Sequence, residues 1–187
     1  MEEAKRRSND MKKFYVDAVD EWDPAWPKPQ GEPVTVTTFV DANHASDKIN
    51  RRSSTGLIIF IQSTPYKWFT KRQTSTEAAT FGSEFMALRV AVEQTIGLIH
   101  TLRSIGIKVK TPVSLFCDNR GVVDNCSRPG SPLQKKHLSI AYHLVRQAHA
   151  LGLIFVFHIN SEDNPADILT KSVSHDVFKR HIHRLMT

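Results

Sequence analysis

Residues 37–47 read TTFVDANHASD, and they bring a carboxylate straight out of a β-branched, aromatic run. Extended back to residue 34, the stretch becomes VTVTTFVD, whose period of two predicts a strand with one buried face. Asp41 then stands at the buried end of that strand, where an ionised carboxylate is costly unless something positive binds it. Two further runs, TGLIIFIQ and YKWFTKRQ, are parted by STP and predict a hairpin. Residues 34–73 therefore read as three antiparallel strands.

Downstream, Phe81, Phe85, Leu88, Val92, Ile96 and Ile99 recur at steps of three and four, which marks a long amphipathic helix ending near Gly106. PVSLFCDN gives a fourth strand, followed by a short helical piece and the breaker SRPGSP. Leu133, His137, Ile140, Leu144 and Ala148 form a second helical stripe, on which His137 is expected to be packed, and LIFVFHI is a buried fifth strand. SEDNPADILTK is expected to open a closing helix, with Asn164 as its cap and Pro165 in its first turn. The order β-β-β-α-β-α-α-β-α is that of one α/β domain. Residues 1–33 differ: a charged, helix-compatible start gives way to EWDPAWPKPQGEP, whose Pro24, Pro27, Pro29 and Pro33 exclude a helix or a central strand. This segment reads as an arm or linker, with Trp22 and Trp26 docked on the domain surface.

The composition fits a globular domain of ordinary make-up, with 40% hydrophobic and 24% charged residues and no apolar run of membrane-spanning length. The start carries no apolar signal core, so an intracellular location is expected, with cytoplasm and nucleus both open. Cys117 and Cys126 are then free thiols, and no histidine stands beside them at zinc-ligand spacing. A net charge of +6 favours a polyanionic partner, with nucleic acid first among them.

Besides Asp41, three acids stand at element ends: Glu84 in the first turns of the long helix, Asp118 after strand four, and Asp167 in the opening of the last helix. Glu84 lies three residues after Phe81 and four before Leu88, so it belongs to the face turned toward the sheet. Taken singly, each acid has an ordinary structural role as turn former, ion-pair partner or helix-dipole partner. Taken together at neighbouring strand ends, they repel one another unless a cation is present, and Mg²⁺ is suited to carboxylate and water oxygens. Glu77, before the helix stripe, reads as a capping or surface acid, and His44 as a surface residue.

The segments FVDAN, RRSSTGLIIF, WFTKRQ, FGSEFMALRVAVE, SLFCDNRGVV, KKHLSIAYHLVR and NSEDNPADILTK resemble the ribonuclease H domain of copia-type LTR retrotransposon Pol polyproteins. The resemblance spans residues 34–171 and implies a ribonuclease H-like α/β fold, a five-stranded mixed sheet of three antiparallel and two parallel strands flanked by helices. It divides the chain into an arm or connection at 1–33, a ribonuclease H-like domain at 34–172 and a helical extension at 173–187. Segment 11–33 resembles the connection that leads from polymerase to ribonuclease H, and 187 residues leave no room for a polymerase. By the same resemblance Asp41, Glu84, Asp118 and Asp167 fall on the catalytic, metal-binding tetrad. His158 falls near a histidine that assists proton transfer or product release. The implied reaction is hydrolysis of the RNA strand of an RNA–DNA hybrid by two Mg²⁺ ions about 3.5–4 Å apart, with Mn²⁺ as a substitute. Arg51, Arg52, Lys71, Arg72, Lys135 and Lys136, together with Lys48 and Lys67, are then expected on the hybrid's phosphates and 2′-hydroxyls. A reverse transcriptase, in cis or in trans, is the expected protein partner. The alternative is a retrotransposon-derived nucleic-acid-binding or assembly module without catalysis.

Overall fold

The computed structural model describes residue 6, residues 9–20 and residues 22–186, so most of the charged N-terminal start lies outside the described residues. In chain order the elements are β1 (Gln30–Val34), β2 (Val36–Asn43), β3 (Ser54–Ile61), β4 (Thr64–Arg72), α1 (Thr80–Ser104), β5 (Ile107–Val109) and β6 (Val113–Cys117). They continue with α2 (Arg120–Ser127), α3 (Ser139–Ala150), β7 (Ile154–His158) and α4 (His175–Met186). Five strands form one sheet in the order β4-β3-β2-β6-β7. β2, β3 and β4 pair antiparallel, and β6 and β7 join them in parallel through β2, which is the mixed α/β sheet expected.

The period of two in β2 puts Val36, Thr38 and Val40 under α1, and Thr37, Phe39 and Asp41 on the other side. α1 covers the first face with Phe85, Leu88, Ala91, Val92, Ile99 and Leu102, all buried. These meet Leu57, Ile59, Leu115 and Val156 of the sheet in one core, where the hydroxyls of Thr38 and Thr95 satisfy each other at 2.9 Å. On the opposite face Phe60, Phe39, Phe116 and Phe157 form a ladder with ring centroids 5.8, 5.1 and 5.6 Å apart. Among the described residues, no helix is long and apolar enough to cross a membrane.

Four local expectations change. The proline-rich arm ends in β1, which forms with β5 a separate two-stranded parallel sheet; Pro33 has no N–H to donate, and an isolated pair tolerates it where a central strand would not. Before it, the Trp26 ring packs tilted against His100 and Trp22 lies under Arg103, whose guanidinium also holds Asp20 at 2.9 Å, so the arm docks on the end of α1. The second helical stripe is out of phase, because α3 begins only at Ser139 and buries Ala141, Tyr142, Val145 and Ala148. Ile140 is therefore 71% exposed, and His137 lies before the helix with its side chain largely in solvent. Its Nε2 stands 2.8 Å from Glu77, which is buried instead of capping or on the surface. Finally, SEDNPADILTK does not open the last α-helix. Asn164 does cap, accepting from Ala166 N–H at 3.2 Å, but what it caps is a five-residue 3₁₀ turn, Pro165–Leu169, and α4 starts separately at His175.

Candidate metal centre

Val40 pairs with Cys117 in parallel register, so Asp41, two residues before the end of β2, and Asp118, just past β6, stand side by side where the two central strands part. In open α/β sheets this is the edge at which ligands bind. The 3₁₀ turn Pro165–Leu169 brings Asp167 to the same edge, and Asp41, Asp118 and Asp167 offer carboxylate oxygens all within 4.8 Å of one another. Glu84, in the second turn of α1, reaches in beneath them; its carboxylate, the Cys117 thiol and Asp118 form an overlapping group within the same distance. The sequence-predicted acids are thus brought together from four segments.

The turn carrying Asp167 is held by side-chain hydrogen bonds to the sheet. Asn164 Nδ2 donates to the Val40 carbonyl at 3.0 Å, Asn43 Nδ2 to the Thr170 carbonyl at 2.7 Å, and Thr70 Oγ1 to the Leu169 carbonyl at 2.7 Å. Gly56 of β3, paired with Asp41 of β2, leaves room for this seat. A Cβ at residue 56 would lie 2.6 Å from Thr170 Cγ2, 3.0 Å from the Ala166 carbonyl oxygen and 3.1 Å from Leu169 Cβ. Gly56→Ala is therefore expected to lift the turn and weaken Mn²⁺ binding about tenfold, at a stability cost of about 1–3 kcal/mol. Calorimetric titration with Mn²⁺ and thermal melting measure the two effects; unchanged metal affinity would show that the seat is unimportant.

Asp41 is fully buried, and its two oxygens have different partners: Oδ2 accepts from Thr170 Oγ1, and Oδ1 is 2.9 Å from the Lys171 ammonium. The same ammonium is 3.4 Å from Asp167 and 4.0 Å from Asp118. Burial alone would favour neutral Lys171, but the hydrogen bond and charge of Asp41, aided by Asp167 and Asp118, outweigh it and raise its pKa. Burial, then the charges of Asp41 and Asp118, push the Glu84 carboxyl up to about 9. Burial and Asp41 push Asp167 up to about 7 against the opposing charge of Lys171. The Cys117 thiol is driven upward by burial and remains protonated.

The residues fit a hard divalent cation. The donors are carboxylate oxygens from a converging set, and Glu84 Oε2 is buried with no hydrogen-bond partner among the described residues, an arrangement costly for a group with nothing to bind. The raised Glu84 pKa also sets a pH dependence. Folded Glu84 keeps its proton up to about pH 9, whereas its ordinary value is 4.5, so the native state binds more protons across that window. Stability in EDTA should accordingly fall as pH rises from about 5 to about 9, by about 2–4 °C in Tm for each kcal/mol lost. Asp167 contributes in the same direction, and Glu84→Gln should flatten the decline. A wild-type Tm that stayed level or rose across this range would contradict the buried, proton-holding Glu84.

His158 lies at the rim with Nε2 3.1 Å from the Asp118 carbonyl, and Ser161 Oγ donates to Asp118 Oδ2 at 2.7 Å. His44 is half-buried, its Nδ1 3.3 Å from Ser83 Oγ. The basic residues share this edge: Asn43 faces Ser54, which faces Arg72, and Thr55 faces Lys71, so Arg51, Arg52, Lys71 and Arg72 stand beyond Asp41. Arg51, Arg52 and Lys71 are exposed, while Arg72 also pairs with Asp47 at 3.1 Å. Lys67 lies further along β4, bonded to Gln94 at 2.6 Å. Lys135 and Lys136 precede His137, which Glu77 anchors near the start of α1. Sequence reasoning missed Lys171, Thr170 and Asn43 as members of the site. The available signal was the spacing of four between Asp167 and Lys171 in ADILTK.

No protein-family model matches the chain. It is 26% identical over 156 residues to the retrovirus-related Pol polyprotein from transposon RE1 of Arabidopsis thaliana, covering 83% of this chain and 11% of that protein. It is 29% identical over 141 residues to the corresponding polyprotein from transposon TNT 1-94 of Nicotiana tabacum, covering 75% of this chain and 10% of that protein. The chain thus spans about a tenth of the length of the curated relatives it matches. Among solved structures, the N-terminal RNase H domain of rv2228c from Mycobacterium tuberculosis superposes with a TM-score of 0.56 at 14% identity, over 80% of this chain and 97% of that one. LC11-RNase H1 in complex with RNA/DNA hybrid gives a TM-score of 0.56 at 15% identity, over 73% and 94%. Sequence and fold therefore agree that the chain is a distant homologue of copia-type Pol polyproteins, folded as a ribonuclease H-like domain.

Proposed function

We propose that this chain is a divalent-metal-dependent endoribonuclease that hydrolyses the RNA strand of RNA–DNA hybrids in retrotransposon reverse transcription. The observation that carries this reading is the convergence of Asp41, Glu84, Asp118 and Asp167 at one sheet edge, with Glu84 Oε2 buried and unpartnered among the described residues. The similar fold of LC11-RNase H1, solved with an RNA/DNA hybrid, supports the same class of substrate here. The tetrad would hold two Mg²⁺ ions, or Mn²⁺ in their place, and such ions when bound activate a water and stabilise the departing oxygen. The catalytic unit is assigned to residues 34–172, with 1–33 as its connection and 173–187 as a helical extension.

The chain's own residues supply the remainder. A carbonyl only accepts, so His158 donates from Nε2 to Asp118 and leaves Nδ1 as the nitrogen that takes up or releases a proton at the rim. The Asp118 backbone fixes that ring without spending the carboxylate. Arg51, Arg52, Lys71, Arg72, Lys135 and Lys136 would hold the hybrid by its phosphates, and a reverse transcriptase in cis or in trans would deliver it.

One observation favours a second reading. The Lys171 ammonium already neutralises part of the acidic cluster, as an ion pair would in a module that binds hybrids without cutting them. Incubation of an RNA-labelled hybrid with the purified chain in Mg²⁺, and separately in Mn²⁺, decides between the two. Endonucleolytic products from the hybrid, with single-stranded RNA left intact, are expected; retained hybrid binding without cleavage in either metal would overturn the enzyme.

A further inference from the structure

One ammonium touching three acids is the least ordinary feature of the site. Lys171 Nζ lies 2.9 Å from Asp41 Oδ1, 3.4 Å from Asp167 Oδ1 and 4.0 Å from Asp118 Oδ2. The contact is built: Lys171 N–H bonds back to the Asp167 carbonyl at 2.9 Å, which turns its side chain toward the sheet edge, while Thr170 occupies the other oxygen of Asp41. Asp41 therefore offers Oδ1 to a second cation only beside the ammonium already there. A divalent ion on that oxygen would face the ammonium across one carboxylate in a site poor in water, so the two cations compete for it by charge repulsion.

Charge arithmetic points the same way. The four acids carry four negative charges at most, which two divalent ions balance completely, leaving the ammonium in surplus beside them. Its side chain is 36% exposed on a flexible four-carbon stem, so a short path leads into solvent once metal has taken up the charge of the acids that hold it. Thr170 offers no such exchange, being neutral. Resting on the metal-dependent reading above, we infer that Lys171 is the site's internal counter-cation, bound to Asp41 in exchange with divalent metal, so that loading the metal centre expels the lysine from the acidic cluster.

The exchange is read directly from the reactivity of the wild-type amine. Reductive methylation of the folded chain, quantified by peptide mass spectrometry, should modify Lys171 about tenfold faster in saturating Mn²⁺ than in EDTA, because the ion pair that shields it has been lost. The exposed Lys108 on β5 is the internal reference and should not change. In calorimetric titration, Lys171→Met should bind Mn²⁺ about tenfold more tightly than wild type, and Lys171→Arg, which keeps the charge, should not. Lys171→Met should also lower the Tm in EDTA and regain it in Mn²⁺; because the labelling experiment needs no variant, poor folding of this one leaves the inference open to refutation. Mn²⁺ binding equally to all three proteins, with Lys171 equally protected throughout, would overturn the exchange while leaving the metal centre standing. No Mn²⁺ uptake by wild type or by either variant would overturn the metal reading itself.

Discussion

Asp41→Asn and Asp118→Asn are each expected to slow hybrid cleavage in Mg²⁺ about a thousandfold, about 4 kcal/mol, without unfolding the protein. Asp41 has no solvent contact and stands centrally, between the hydroxyl of Thr170 and the ammonium of Lys171. An amide of the same shape still accepts from Thr170, but it carries no charge and can present an NH₂ group to Lys171 or to an incoming cation. Asp118 bridges the two acidic groups, shared with Asp41 and Asp167 on one side and with Glu84 on the other, so its charge serves both. Stability should survive because each change relieves like-charge repulsion while Lys171 keeps two carboxylate partners: the charges of Asp41 and Asp118 are, after burial itself, what raises Glu84. Cleavage, hybrid binding and melting of both variants should be measured together. Near-normal turnover by either folded variant would remove that residue from the metal centre.

The parts of this site that were legible in the sequence are those fixed by short-range pattern. Asp41 and Asp118 could be placed at strand ends because VTVTTFVD alternates and PVSLFCDN is a short apolar run, and Glu84 because its spacing from Phe81 and Leu88 sets its helix face. What the sequence hid depends on contacts between distant segments. The spacing of four from Asp167 is all that locally separates Lys171 from a surface lysine; its role comes from the 3₁₀ turn seated over Gly56, one hundred and more residues away in sequence. His137 fell on an apparent apolar stripe because Leu133 and Ile140 are apolar at helical spacing, but the helix starts only at Ser139 and leaves that stripe outside. β1 escaped notice because four prolines mask a five-residue strand whose partner, β5, has only three residues. Glu77 was read as exposed because its burial depends on the fold around α1, with the hydrogen bond from His137 serving its carboxylate.

Asp167→Asn is expected to slow cleavage at least about tenfold, about 1.4 kcal/mol, and to raise the Mg²⁺ concentration needed for half-maximal rate, whereas Asp163→Asn should leave both nearly unchanged. Glu162, Asp163 and Asp167 stand close together in SEDNPADILTK, so the assignment has to come from geometry. Asp163 precedes the Asn164 cap, its side chain 46% exposed and 3.8 Å from Arg180 of α4, an ion pair of the kind worth about 0–1 kcal/mol. Glu162 is exposed, and neither joins the acidic cluster found among the described residues. Asp167 is 7% exposed and aimed at Asp41 and Asp118 because Asn164, capping the turn, is tied to the Val40 carbonyl directly before Asp41. Its effect should nevertheless be smaller than that of Asp41, for two physical reasons. Without metal it is pushed up to about 7 by burial and Asp41, so a cation binding there near neutral pH must displace a proton, and it sits on a five-residue turn that can give way more easily than a central strand. Mg²⁺ titrations of both variants test the assignment: a larger loss from Asp163→Asn than from Asp167→Asn would show that the wrong acid has been placed at the metal.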